Sequence, residues 1–455
     1  RLVLEEGVTS VGRYAFCGLT ALTAADLPSS LTTIDWGAFQ DCRGLTGITI
    51  PSGVTTIGFM AFEDCRGLTS ITLPDSVTSL DSAVFWGCRS LTSVTLPAGL
   101  TSIGEHLFDH CTSLTNITIP RGVTAIGESA FYRCDALTSI DLPSGVTTIG
   151  ASAFRNCSRL TSVTIPSGVT AISDSTFRGC EKLASVTIPA RLKTVGASAF
   201  AGCKALTAID LPDSLTALGA SAFAGCEKLA SVQAACSAAI GKEAFSGCTA
   251  LTEVSLTGRK ISLESGVFSG CTSLKKLSIT GAGSSVGDEA VQNCTSLTTA
   301  DLSGVTNVGT SAFEGCTSLT SVQLPNAASI GDGAFRACTA LAEVTFPTTS
   351  TAIGKFAFAC CTSLTEVKIT AYSLTLGQSA FYNSGLQWIS ITGKITAIEP
   401  WTFAECPLRV MCIPEGVTSI GYRAFYNCKE LCSIYIPDCS MTTDRQYLFC
   451  PMFQK

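Results

Sequence analysis

Charge is scarce in this chain. Only 14% of its 455 residues are Asp, Glu, Lys or Arg, and the net charge is −6. Nucleic-acid binding needs a concentrated basic face, and this balance does not supply one. Histidine is rarer still, with His106 and His110 the only two. A Ser-His-Asp or Cys-His site therefore cannot be built outside that one stretch. No G-x-S-x-G, P-loop, G-x-G-x-x-G, EF-hand or H-E-x-x-H pattern occurs. Long apolar runs are missing too. The mean hydropathy is +0.39, yet Thr, Ser, Gly or Asp interrupts every apolar run well short of the ~18–20 residues that span a bilayer. Together these absences point away from an enzyme, a cofactor protein and a membrane-inserted segment.

What is present is repetition. Phe recurs at Phe16, Phe39, Phe62, Phe85 and on to Phe425, at intervals of 23 or sometimes 22, with Val291 substituting once. A clean copy runs from Leu91 to Cys111. Such a period marks a stack of about twenty coils, each unable to bury its own apolar face but able to bury it against its neighbours. In Leu-x-x-Ile-x-Ile-Pro the apolar residues point inward, as expected of a short parallel strand. Pro51, Pro74 and Pro97 end that strand because Pro cannot donate to a ladder. A turn and a second extended piece follow. Gly, Asp81 or Ser173 then occupies a helix N-cap position, and x-x-Ala-Phe-x-x-Cys reads as one short helical or 3-10 turn. The fold expected is an α/β repeat solenoid: a curved superhelix with a parallel sheet on its concave face and short helical turns on the other. Residues 1–438 read as one continuous array that starts mid-repeat, and so as part of a longer protein. Residues 439–455 read as a degenerate C-terminal cap.

Leu68–Pro74, Val123–Phe131 and the Phe-x-x-Cys tags resemble the BspA-like leucine-rich repeats, a 23-residue class of surface proteins. The resemblance spans essentially the whole chain. It implies an extracellular or surface-exposed, non-catalytic module that takes part in adhesion, host contact or ligand capture. The implied partner is a protein or a glycan, or a second copy of the chain.

Of 24 Cys, seventeen sit three residues after the repeat Phe, from Cys42 to Cys428. They form a row of parallel side chains, which suits buried free thiols better than disulfides or a converging metal site. Cys17, Cys236, Cys360, Cys412, Cys432, Cys439 and Cys450 break the row. Cys439 and Cys450 are a candidate capping disulfide, with two further free thiols as the alternative. His106 and His110 could present two metal ligands on one helical face beside Glu105 or Asp109. Solvated surface is the simpler reading.

The outward strand position is monotonous in the first half (Thr49, Thr72, Thr95, Thr118) and varied in the second (Gln323, Lys368, Cys412, Tyr435). Thr rows suit sheets on their own account. Six of the eight Tyr and two of the four Trp follow residue 370. Tyr372, Tyr382, Trp388, Trp401, Tyr422 and Tyr435, with Lys368 and Gln323, are therefore the candidate partner-binding residues. The alternative is that they fill an irregular cap. Coils around 234–303 lose the strand-ending Pro, which predicts a local change of shape. Asn116, Asn156 and Asn293 head N-x-Ser/Thr triplets and are candidate glycosylation sites. Two further readings remain: a structural element of a surface layer or filament, and ice or crystal-lattice binding by Ser/Thr rows such as Ser70-x-Thr72.

Overall fold

A computed structural model describes residues 1–235 and 237–436 and the backbone of Thr442–Thr443. Two compact units form. One is Arg1–Leu215 with Ala222–Leu229, and the other is Thr216–Ser221 with Ala230–Lys455. In both, short strands of two to four residues stack in parallel, one coil upon the next. This is the leucine-rich-repeat arrangement, with two strand rows per coil.

Registers follow the sequence period. In the first unit Ser70 faces Ser93 and Thr72 faces Thr95, while Thr33 faces Thr56 in the second row. In the other unit Gln233, Ser255, Ser278, Asp301, Gln323 and Thr345 stand side by side in one row. A shift of one residue would turn Ile71 or Val254 outward, so the buried apolar positions pin the register.

Loss of the strand-ending Pro has the effect its chemistry dictates. Where Pro stands, the strand stops early, as at Ser70–Thr72. Where Ala or Thr replaces it, the strand lengthens to four residues: Ser231–Ala234, Glu253–Leu256 and Lys276–Ile279. The N–H of Thr257 donates to Ala234 O at 3.0 Å and that of Thr280 to Leu256 O at 3.2 Å. Pro has no hydrogen to make either bond.

The helical or 3-10 turn expected around each Phe does not form. Among the described residues there is no helix. The segment is instead a ribbon of turns whose N–H groups alternate in destination. In the coil of Phe39, the N–H groups of Gly37, Phe39 and Asp41 donate to Phe59, Ala61 and Glu63 of the next coil. Those of Ala38, Gln40 and Cys42 close tight turns onto Asp35, Gly37 and Phe39. The alternation requires left-handed backbone two residues before and two residues after each Phe. Examples are Ser152 (φ 56) and Asn156 (φ 60) around Phe154, and Trp401 (φ 61) and Glu405 (φ 66) around Phe403. A helix admits no such residues in series, so coil-to-coil hydrogen bonding displaces helical bonding. Nor is the preceding Gly a cap. A Cβ on Gly127 would sit 2.6 Å from Glu105 N of the coil below, so close backbone approach explains it.

The core lies between the strand rows and this ribbon. Phe39, Phe62, Phe85, Phe108 and Phe131 are wholly buried. Their rings stack along the first unit at 5.4 to 5.9 Å, as with Phe62–Phe85 and Phe108–Phe131. In the second unit the stack covers Phe245–Phe268 and Phe313–Phe335, and Val291 interrupts it. Burying each ring is worth roughly 1.5–3 kcal/mol, with about 0.5–1.5 more for each aromatic contact.

Candidate functional site

The outward strand positions differ between the units because the residues do. In the first unit they are mostly short hydroxyls and small residues, with Val3, Asp26, Asn116, Asp141 and Asp210 as the exceptions. A shallow trough of about 500 Å³ lies over Ala24–Asp26, Gly47–Ile50 and Ser70–Thr72. In the second unit the rows carry long and charged side chains. Glu253 stands in register with Lys276, and a trough of about 400 Å³ runs over Ser255, Ser278, Asp301, Ser321 and Gln323. Further along, Glu366 pairs with Trp388 and Lys368 with Ser390. Cys412 pairs with Tyr435. Alternation puts all six on the outer face, since Val367, Ile389 and Met411 between them are buried. Trp388 is 45% exposed and Tyr435 64%.

Tyr372, 68% exposed, lies elsewhere. It follows strand Glu366–Ile369, where Thr370 takes the place of the usual Pro, and its amide donates to Thr348 O at 3.1 Å. In the next coil Lys394 N donates to Tyr372 O at 3.2 Å, and Lys394 Nζ lies 5.2 Å from the Tyr372 ring centroid. Thr348, Thr370, Thr392 and Glu415 complete an open groove of about 650 Å³ floored by Ala371, Ile391 and Pro414. It offers one aromatic face, one ammonium, one carboxylate and three hydroxyls.

A third group forms on the turn ribbon. Trp401 meets Tyr382, Tyr422 and Tyr426 edge-on at 6.5, 5.9 and 5.5 Å. The Arg423 guanidinium lies 4.8–5.1 Å from the centroids of Trp401, Tyr422 and Tyr426. These cation–π contacts use the rings' faces internally, leaving Tyr422 as the most exposed edge.

Six overlapping copies of the BspA type leucine rich repeat region match residues 1–112, 78–207, 170–298, 238–364, 306–432 and 374–452. The chain belongs to the BspA-type leucine-rich-repeat family. This BspA-type chain is similar to a leucine-rich repeat protein from Bacteroides ovatus, at 33% identity over 70% of this chain and 82% of that one, with a TM-score of 0.63. It is also similar to a leucine rich cell surface protein from Faecalibacterium prausnitzii, at 28% identity over 74% of this chain and 83% of that one, with a TM-score of 0.40. A leucine rich repeat protein of T. pallidum matches at 30% identity over 45% and 76%, with a TM-score of 0.29. No curated protein matches the chain.

The BspA-type chain thus divides its candidate residues among three places. Lys368, Trp388, Tyr435 and Gln323 lie on the outer strand face, Tyr372 in the groove, and Tyr382, Trp401 and Tyr422 on the ribbon. Sequence reading missed Lys394 and Glu415 beside Tyr372, and Arg423 among the rings. A lysine 22 residues away, one coil on, is the signal that could have found the first. Asn116 is exposed on the strand face. Asn156 and Asn293 occupy left-handed turn positions (φ 60 and 59) immediately before buried Cys157 and Cys294. Cys439 and Cys450, with the cap at 439–455, lie outside the described residues.

The thiols and histidines have partners that spacing did not foretell. Row Cys donate their S–H to the carbonyl of the Phe one coil earlier, at 3.0–3.3 Å, as in Cys65 to Phe39 and Cys406 to Phe381, and Cys316 donates to Val291 O at 3.2 Å. They are free thiols. Burial pushes Cys42 and Cys406 up to about 11, and Cys203, Cys316 and Cys361 up to about 12. His106 and His110 lie on the turn ribbon and not on a helix face. Their Nδ1 atoms lie 2.8 and 2.5 Å from the two oxygens of Asp109, which is 4% exposed.

Proposed function

We propose that this chain is a recognition module that binds a protein partner through the outer strand face and the Tyr372 groove of the unit containing Ala230–Tyr435. The supporting observation is the contrast between the rows: hydroxyls broken by Asp26, Asp141 and Asp210 in the first unit, and both signs of charge with aromatics (Glu253, Lys276, Glu366, Lys368, Trp388 and Tyr435) in the second. Sheet formation needs only the Thr. Exposed Trp and Tyr among mixed charges carry binding energy in proteins that pair. The family's surface members agree with an extracellular setting, and a glycan is the alternative ligand.

A defined panel of immobilised extracellular proteins and glycans tests the reading. Wild type, W388A/Y435A and T72A/T95A are compared by surface plasmon resonance. At least one protein should bind wild type and T72A/T95A alike and W388A/Y435A at least tenfold more weakly. Equal binding by all three to every panel member overturns it.

A further inference from the structure

The Tyr372 groove holds two charges of opposite sign that do not meet. Lys394 and Glu415 both line it, and both are exposed. Among the described residues neither has an oppositely charged atom within 4.0 Å. Elsewhere the fold does close such pairs between neighbouring coils, as with Lys204 and Glu181 at 3.1 Å and Arg336 and Glu314 at 3.8 Å.

The backbone fixes the groove. Tyr372 N donates to Thr348 O and Lys394 N to Tyr372 O, so three successive coils are tied in line. One place beyond the strand-ending position, four successive coils carry Thr348, Ala371, Gly393 and Glu415. The two middle residues are small, which opens the groove between the outer two. A Cβ on Gly393 would overlap Ala371 O of the coil before, so nothing larger fits there. The next place holds Gly in other coils, as at Gly53, Gly145 and Gly416, but Tyr372 and Lys394 here. An aromatic ring and an ammonium therefore project where those coils have no side chain. Lys394 Nζ lies 5.2 Å from the ring centroid, and the ring steadies the cation without neutralising it.

Given the recognition module proposed above, we infer that its groove takes a short extended segment of the partner protein. An acidic side chain of that segment meets Lys394, a basic one meets Glu415, and an apolar one between them rests over Tyr372, Ile391 and Pro414. The ligand must carry both signs about an apolar group, because the groove does. Nucleic acid and acidic glycans carry one sign only, whereas a peptide carries both. From Thr348 to Glu415 the groove crosses three coil steps, about 14 Å, which about four or five extended residues span. Side chains two positions apart share one face of such a segment at about 6.6 Å, within reach of the long Lys394 and Glu415 side chains. Paired charges of this kind set the choice of partner more than raw affinity.

The test is calorimetric titration of the full chain with three pentapeptides blocked at both ends. Each has a central leucine, flanked by one aspartate and one lysine, by two aspartates or by two lysines. Wild type should bind the mixed peptide about fivefold or more above the other two. E415K puts two cations in the groove and should come to prefer the two-aspartate peptide by about tenfold, and K394E the two-lysine peptide by the same factor. Protection of Cys361 and Cys406 from alkylation certifies the fold of each variant. Equal binding of the three peptides by every folded protein overturns the inference, as does no binding of the mixed peptide by wild type at roughly 10 mM. A uronic-acid disaccharide that binds wild type more tightly than the mixed peptide, and is lost in K394E, assigns the groove to a glycan and overturns it too. A panel protein that weakens on W388A/Y435A but binds K394E and E415K like wild type keeps the recognition module and overturns the segment in the groove.

Discussion

A carbonyl oxygen has two lone pairs, and the Phe carbonyl can use both. The Phe62 oxygen accepts the amide of Cys65 at 3.2 Å and the thiol of Cys88 at 3.1 Å. Cys is thus more than a small apolar filler: it satisfies a buried acceptor from within a space that fits one sulfur. At this position in one coil stands Ser384, also buried, 3.3 Å from Cys406 Sγ. Burial that keeps these thiols neutral also hides them. Alkylation of the native chain followed by peptide mapping should label exposed Cys17, Cys412 and Cys432 and spare the buried row cysteines, such as Cys65, Cys134, Cys180 and Cys428, until denaturant is added. Labelling of Cys134 or Cys180 in the native state would contradict the packing. The left-handed positions give a second residue-scale prediction. Ser198 (φ 54) pays a backbone cost that Gly266 (φ 65), at the same place in a later coil, avoids. Ser198→Gly should raise stability by about 0.5–1 kcal/mol in urea unfolding, where Gly at an ordinary position lowers it.

At the scale of elements, the strands and the core were legible and the ribbon was not. A period of 23 with Ile or Val at alternate positions dictates both the parallel rows and the buried set. The loss of Pro goes with a four-residue strand before Ala235, Thr257 and Thr280, but not before Ser303, where Thr299–Asp301 keeps three residues. The turn ribbon escaped because its signal is conformational. Tyr14, Met60, His106, Ser129 and Trp401 share a left-handed φ and nothing else, so no residue type announces it. The nearby Ala-Phe-x-x-Cys spacing imitates a helical face. The division of the candidate residues among three places was not legible, because sequence proximity after residue 370 says nothing about which part of the coil a side chain leaves from. Two substitutions test the element reading. Thr257→Pro removes the N–H that bonds Ala234 O and should cost about 1–3 kcal/mol, with the strand shortened as at Pro74. Phe154→Ala cuts the stack between Phe131 and Phe177, at 5.3 and 5.4 Å, and should cost about 3–5 kcal/mol.

Across the whole molecule, the same thiol environment recurs coil after coil in both units, and a small effect at one residue becomes a property of the chain. A buried thiol has its pKa raised because burial disfavours the thiolate. Cys42 and Cys406 rise to about 11, and Cys203, Cys316 and Cys361 to about 12, from an ordinary value of 9.0. The folded chain therefore holds these protons at pH values where the unfolded chain has released them. Below pH 9 both states are protonated and the thiols' contribution is intact. Between pH 9 and about 11–12 the unfolded chain binds fewer protons, so stability falls as pH rises. The urea midpoint should accordingly be flat from pH 7 to 8.5 and drop progressively above 9. Because repeats couple mainly to their neighbours, replacing one thiol should relieve the drop only in part. C203A/C316A should retain more of its pH 7 midpoint at pH 10.5 than wild type does of its own, despite a lower midpoint at pH 7. An identical fractional drop in wild type and variant would show that other groups govern alkaline unfolding.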